Sequence, residues 1–545
     1  MNTDFPALCG AENAQALDRE ALEWGLNEFS LVEAAGRICA DFFRTLPPHN
    51  EKAGSGTAIF PFAAVLAGSG NNAADALVML RTLIINQYFD PSGVRIFCTK
   101  FPQELPVRTP LSNALVAVQR LGVSINKWNV DSKEFLIQAD IIIDGIAGTG
   151  QKGPLHGTAA EMVDTVNCVK AAGKQPRVIS IDVPSGNFDG WKPGMPVINA
   201  DSTLAIEPAK LCLYNPASRP SAGQIISVRG IFPPELIEKY REASLRDWKN
   251  CCQGIAPLKP DAYKYQRGVA EIWAGSSESA GAAMLAARGA QAAGAGLVRL
   301  IVDPSIYAVL APNSGGIMVT AQADSPVSAA GCADSTAARR FTPDAILAGP
   351  GWGRGEDRSR LLEKFLQAEA QGCPLILDAD AIALARDICF NGNTLITPHP
   401  AEFAAYTGLP VQEILANPAP ILRQYAAQKN VHILLKGHVL YIASPPRPGT
   451  DPTVKSKLSV LDGMNPALAV GGTGDVLAGF CAAIAGRMAA ENSLNLHECA
   501  VVSASLLLEA GMTANIRKKF IDPLELARSA ADIAGGVWLI NGRNA

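Results

Sequence analysis

Apolar residues recur close to every 3.6 positions over 13–43, where Leu17, Leu22, Leu26, Leu31, Ala35, Ile38 and Phe42 share a face and predict a helix. Residues 45–57 are rich in proline, glycine and charge and predict a loop. The apolar run 58–66 ends at Gly68-Ser69-Gly70 and leads into a helical stretch over 73–85. Strand, glycine turn and helix in that order open a βαβ unit. Short apolar runs at 94–98, 141–143, 178–181 and 203–206 then alternate with helical stretches at 111–121 and 158–172, and 225–228 predicts a last strand. The alternation predicts an α/β fold with a Rossmann-like, doubly wound and mostly parallel sheet.

The pattern changes over 230–260, with Pro233-Pro234, a charged helical stretch, then Pro257 and Pro260. A single core rarely serves more than about 250–300 residues, so 545 residues need at least two domains. The boundary is placed near 245, giving domains at 1–244 and 245–545. A second βα series follows. The run 269–273 passes through Gly275 into an alanine-rich helix over 280–293, and further strands are predicted at 298–302, 345–347, 375–377, 395–397, 433–435 and 440–442.

Composition narrows the function classes. The chain is 48% hydrophobic and 18% charged, which suits large buried α/β cores, and its net charge of −4 offers no basic surface for nucleic acid or an acidic membrane. The start of the chain lacks a basic segment followed by an apolar stretch, and runs such as 476–486 are too short to span a bilayer. The 12 cysteines form no CxxC pair and read as reduced thiols. Together these features point to a cytoplasmic protein; separately from them, small-molecule partners and a homo-oligomer are expected.

Candidate chemistry in the first half follows three predicted strands. The clusters are Gly68 to Asp75 (with Asn71, Asn72, Ala73 and Ala74), Asp144 to Gly153 (with Gly148, Thr149, Gly150 and Lys152), and Asp182-Val183-Pro184-Ser185-Gly186. In a doubly wound sheet such strand ends converge on one crevice. Glycines there admit a phosphate to backbone N–H groups, and a helix N-terminus adds its dipole. These three clusters in this order resemble the NAD(P)H-hydrate epimerase family over roughly 13–234. The resemblance implies that Asn72, Asp144 and Ser185 hold a potassium ion and that Asn71 to Asp75 and Gly148 to Gly150 cradle the dinucleotide. It further implies that Asp182 is the acid/base, with Lys152 as its helper. The family's NNGGDG loop reads Asn71-Asn72-Ala73-Ala74-Asp75-Ala76 here. Three alanines replace glycines, at a cost of roughly 1 kcal/mol each wherever φ > 0 is required.

In the second half, Val470-Gly471-Gly472-Thr473-Gly474-Asp475 precedes an apolar helix over 476–487. Amides at that helix start form an anion hole, and Asp475 stands where it can take a hydroxyl proton during phosphoryl transfer. Gly349 to Gly353, Leu377 to Ala381, Thr397 to Phe403 and Lys436-Gly437 each follow a predicted strand. This set resembles the ADP-dependent NAD(P)H-hydrate dehydratases, which have a ribokinase-like fold, over roughly 263–539. The resemblance implies that Gly281, Gly351, His399 and Asp475 meet the hydrated nucleotide. Lys436, Gly437, His438, Val439 and Leu440, with Gly472, Thr473 and Gly474, would hold ADP or ATP, whose phosphates Mg²⁺ bridges. The whole chain then reads as a bifunctional repair enzyme that epimerises R/S NAD(P)H-hydrate and dehydrates the S form. The rival reading is a ribokinase-like kinase for hydroxymethylpyrimidine or a sugar, fused to a non-catalytic dinucleotide-binding half.

Overall fold

The computed structural model describes residues 5–46, 61–173, 176–322, 342–353, 356–446, 456–516 and 520–539. The chain divides into two compact units, Pro6–Ser244 and Leu245–Ala545 joined by Met1–Phe5.

The first unit is built on a seven-stranded parallel sheet. Its central strands, Ala63–Ala67, Ile141–Gly145, Arg177–Ile181 and Ser202–Ile206, lie side by side in that order. Val94–Cys98 and Ser124–Lys127 extend it beyond Ala63–Ala67, and Gln224–Val228 closes the other edge. The chain therefore runs outward from Ala63–Ala67 in one direction, then returns to its other side with Ile141–Gly145. That reversal is the switch point at which a doubly wound sheet opens a crevice. Strands buried on both faces, such as Ala63–Ala67, read as uninterrupted apolar runs because helices cover both sides.

The predicted helix over 13–43 is two helices, Ala11–Glu23 and Glu28–Thr45. Gly25, at φ +87°, turns the chain, and the Asn27 side chain accepts the Ser30 N–H to start the second helix. Apolar periodicity continued across the break because both helices bury faces of similar spacing. The segment 47–60, including the first residues of the predicted strand 58–66, lies outside the described residues.

In the second unit, the strands Met318–Ala321, Leu297–Val302, Val269–Trp273, Ala345–Ala348, Leu375–Leu377, Thr394–Ile396 and His432–Leu435 lie in that order and are all parallel. Val439–Ala443 and Leu458–Asp462 continue the sheet antiparallel. The helices Ala280–Ala292, Thr473–Ala490, Leu496–Ile516 and Pro523–Trp538 pack into a core dominated by alanine, leucine and isoleucine. Close approach requires glycine at one crossing, where a Cβ on Gly479 would lie 2.1 Å from the Ala286 carbonyl oxygen.

Candidate active sites

At the switch point of the first unit the loops leave adjacent strand ends almost in contact. The Gly68 N–H donates to the Gly145 carbonyl at 3.0 Å, and a Cβ on Gly68 would fall 1.8 Å from the Ile146 oxygen. Glycine is needed there by this approach. Between these loops and the helices Ala11–Glu23 and Asn71–Ile85 lies a cavity of about 570 Å³. Asn71, Asn72, Asp75, Gly148 to Gln151, Asp182 and Lys210 are among the residues lining it.

Asp182 leaves the end of Arg177–Ile181 at φ +66° and is buried. Lys210, also buried, donates to its Oδ1 at 2.6 Å and to the Ile206 carbonyl at 2.9 Å. Burial works against the lysine's charge, but Asp182 together with Cys9 and Asp18 offsets it and holds the ammonium above its ordinary range. Across the cavity, burial and then the charge of Asp182 push the Asp75 carboxyl well above the usual carboxylate range.

Beneath the cavity, Asp144 is fully buried at the end of its strand. It accepts from Ser180 Oγ at 2.7 Å, from the Ser185 N–H at 2.9 Å, from Ser185 Oγ, and from the Ile146 N–H at 3.2 Å. Burial raises its pKa against the pull of these bonds. Asn72 Nδ2 donates to the Ala147 carbonyl at 3.0 Å, while its Oδ1 is buried without a hydrogen-bond donor. An orphaned amide oxygen beside a carboxylate, a hydroxyl and a carbonyl is an all-oxygen set that suits a hard monovalent cation.

In the second unit the site gathers at the carboxyl ends of five neighbouring parallel strands. Successive loops are tied across that edge. The Gly275 N–H donates to the Pro350 carbonyl, Asp378 N–H to Ala348, Thr397 N–H to Leu377, and Lys436 N–H to Pro398. A Cβ on Gly349, at φ +123°, would lie 1.8 Å from the Asp378 carbonyl, so the loop passes where a side chain does not fit. Buried Asp378 accepts from Lys436 Nζ at 2.7 Å and Thr397 Oγ1 at 2.7 Å.

Asp475 sits in the first turn of Thr473–Ala490, whose start has no side-chain cap. Amides in that turn have no partner within the helix and remain free for an anion. Burial, then the charges of Asp378 and Glu402, raise the Asp475 carboxyl to about 7, with Lys436 opposing. Gly472 begins the helix at φ +95°, and a Cβ there would meet Leu285 Cδ1 at 2.5 Å.

Comparison with known proteins matches both units. The family described as NAD(P)H-hydrate dehydratase spans residues 270–531, and the family described as YjeF-related protein N-terminus spans 28–212. The bifunctional NAD(P)H-hydrate repair enzyme Nnr of Salinibacter ruber is 29% identical over 520 residues, covering 88% of each chain. That of Synechocystis is 28% identical over 535 residues, covering 95% of this chain and 92% of the relative. The chain belongs to the bifunctional NAD(P)H-hydrate repair enzymes. A solved ADP/ATP-dependent NAD(P)H-hydrate dehydratase of Bacillus subtilis, co-crystallised with ATP/Mg²⁺, aligns at 25% identity and TM-score 0.44, over 55% of this chain and 98% of that one.

Against the family's pattern, the structure rearranges several expectations. Lys152 is exposed and does not line the cavity; the lysine that meets Asp182 is Lys210, brought there by the turn after Ser202–Ile206. Ala73 and Ala74 do not line the cavity either. They lie in the first turns of the helix Asn71–Ile85, fully buried in the core with Ala76, and none of the three has positive φ. Their methyls therefore neither strain the backbone nor crowd a ligand. Val439 and Leu440 are buried in a strand, so only their backbone can face a nucleotide. His399 is half-exposed and caps the helix Pro400–Thr407, its Nδ1 accepting the Ala401 and Glu402 N–H groups. Its Nε2 faces Glu402 Oε1 at 3.4 Å. Gly281 has open space around its Cα, and Gly351, at φ +57°, packs against Ser279. Trp352 is a core residue stacked on Phe365.

Proposed function

We propose that the chain repairs hydrated nicotinamide nucleotides, with the first unit interconverting the R and S epimers at C6 and the second dehydrating the S epimer with ADP or ATP. The observation that carries the reading is Asp475, a carboxylate with a pKa of about 7 at an uncapped helix start, beside the Lys436–Asp378 pair. A base of that strength accepts an alcohol's proton near neutral pH, while the helix amides and Lys436 hold the charge of an incoming phosphoryl group. The phosphorylated C6 oxygen then leaves as phosphate as a proton is lost from C5, which restores the dihydropyridine.

Among the described residues no three His, Cys, Asp or Glu side chains cluster as a metal cage. That suits Mg²⁺, which is held largely by phosphate oxygens and water and supplies charge neutralisation on the transferred group. In the first unit, Asn72, Asp144 and Ser185 are assigned to a potassium ion, which when bound places a fixed positive charge under the glycine loops. Gly148 to Gly150 and the start of the helix Asn71–Ile85 face the dinucleotide. The alanines of that helix leave the cavity open, which favours a working epimerase over an inert binding module. No helix among the described residues is long and apolar enough to cross a membrane.

The test is incubation of the full chain with a mixed-epimer NADHX pool and ADP or ATP. Dihydronicotinamide absorbance that grows beyond the S fraction requires both activities. Growth limited to the S fraction removes the epimerase, and none at all, with a sugar or hydroxymethylpyrimidine phosphorylated instead, returns the chain to the kinases.

A further inference from the structure

The first unit's cavity is acidic for a dinucleotide site. Asp18, Glu28, Asp75, Asp182 and Glu207 line it against Arg19 and Lys210, and Lys210 is already engaged by Asp182. Phosphates belong at the helix start, where Glu28 already accepts from Asn71 Nδ2, and at the Gly148–Gly150 loop, so Asp18, Asp75 and Asp182 are left to the nicotinamide end. A hydrated dihydronicotinamide is neutral there. A wall with excess negative charge stabilises a species that becomes positive during reaction.

The chemistry of C6 supplies such a species. C6 carries both the hydroxyl and ring nitrogen N1. Its C–H bond has no carbonyl to stabilise a carbanion, so a carboxylate cannot invert it by proton abstraction. The hydroxyl can leave, because the N1 lone pair forms an N1=C6 iminium. Conjugation of N1 with the ring carboxamide weakens that push, so departure needs a proton donor.

We propose that the cavity inverts C6 by breaking and remaking the C6–O bond, with Asp75 as the acid that protonates the departing hydroxyl and Asp182, held by Lys210, as the base for the water that adds to the opposite face. This deepens the epimerase reading and rests on it. The two carboxyls reach the cavity from different elements, Asp75 from the first turns of Asn71–Ile85 and Asp182 from the end of Arg177–Ile181. Asp75 gives one proton, C6–O breaks, and water leaves. A second water forms C6–O and gives its proton to Asp182. One proton enters and one is returned, and exchange of both carboxyls with solvent, or a turnover in the reverse direction, resets the site. Lys210 is a positioning residue: it aims Asp182 through its 2.6 Å contact while Asp75 stays protonated. Burial and the Asp182 charge favour that protonated form of Asp75.

The experiment uses the full chain without nucleotide, so that the dehydratase is idle, and NADHX enriched in one epimer, in H₂¹⁸O. Epimers are separated by chromatography and weighed by mass spectrometry, with the uncatalysed rate subtracted. One ¹⁸O per inversion is expected, and Asp75→Asn lowers inversion by about 100-fold or more. Inversion by the unaltered chain that retains ¹⁶O, or label that lags inversion, overturns the proposal whatever the variant does, while the epimerase reading survives. Inversion no faster than the uncatalysed rate overturns both.

Discussion

Lys210 Nζ lies 2.6 Å from Asp182 Oδ1, with both side chains buried, Asp182 just past the strand Arg177–Ile181 and Lys210 in the two-residue strand Ala209–Lys210. The pair makes the first unit's stability and its chemistry depend on each other. Lys210→Met leaves a buried carboxylate without its counter-charge, and removing one partner of such a pair costs roughly 3–5 kcal/mol. The variant is expected to lose stability of that order in denaturant melts of the full chain and to epimerise far more slowly. Lys210→Arg keeps the charge and is expected to recover more stability than activity.

Asp475→Asn removes the proton acceptor from an uncapped helix start. Dehydration is expected to fall by about 10²–10⁴-fold, with the Michaelis constant changing much less, measured by NADH absorbance on the S epimer with ADP or ATP.

The carboxyl of Asp475 titrates at about 7, so dehydration limited by this base rises with pH and levels off above that value. Its neighbours set the midpoint. Glu402→Gln removes a negative charge and moves the inflection to lower pH, while Lys436→Met removes the opposing positive charge and moves it higher. The same raised pKa has a stability consequence. Below the unfolded carboxyl's ordinary value of 3.8 the protonated side chain carries no penalty; as pH rises toward about 7 the folded site increasingly retains a proton the unfolded chain has lost, and that contribution to stability is lost. A pH series of melts of Asp475→Asn against the unaltered chain should show the variant gaining relative stability over that interval.

Ala73→Gly and Ala74→Gly restore the glycines of the related loop but place them in a buried helix. Each is expected to cost about 1 kcal/mol of stability and to leave the epimerisation rate unimproved, as thermal melts and the epimer assay would show. A clear rise in rate would mean that the methyls do crowd the ligand.

Gly472→Ala forces a side chain into φ +95° with its Cβ 2.5 Å from Leu285 Cδ1. A loss of roughly 2 kcal/mol is expected from backbone strain and the displaced leucine, together with weaker nucleotide binding, measurable by melting with and without ADP.

Much of this protein was legible along the chain. The strands Ala345–Ala348 and Leu375–Leu377 fall on uninterrupted apolar runs, because a sheet covered on both faces has no polar side to interrupt them, while Val94–Cys98 and Val269–Trp273 are runs broken once each, by Arg95 and by Glu271, which pairs with Arg299. Gly472 and Asp475 announced their helix start through local backbone and dipole rules. Short, half-exposed strands such as Ser124–Lys127 were not legible, since their SINK sequence carries neither alternation nor a run. The break near Gly25 was hidden because two helices that bury similar faces keep one period across a turn.

What the amino-acid order determined by itself was the succession of elements and the loops able to bind anions, since both follow from side-chain period and from where glycine is needed within a few residues. Which lysine meets Asp182, where the methyls of Ala73 and Ala74 point, and how Asp378, Glu402 and Lys436 set the acidity of Asp475 were decided only by the tertiary structure. Those relations join residues 28 to 97 positions apart, and they depend on strand order, on the hand of each crossover and on burial, which raises the energy of a charge by an amount that only its packed surroundings define.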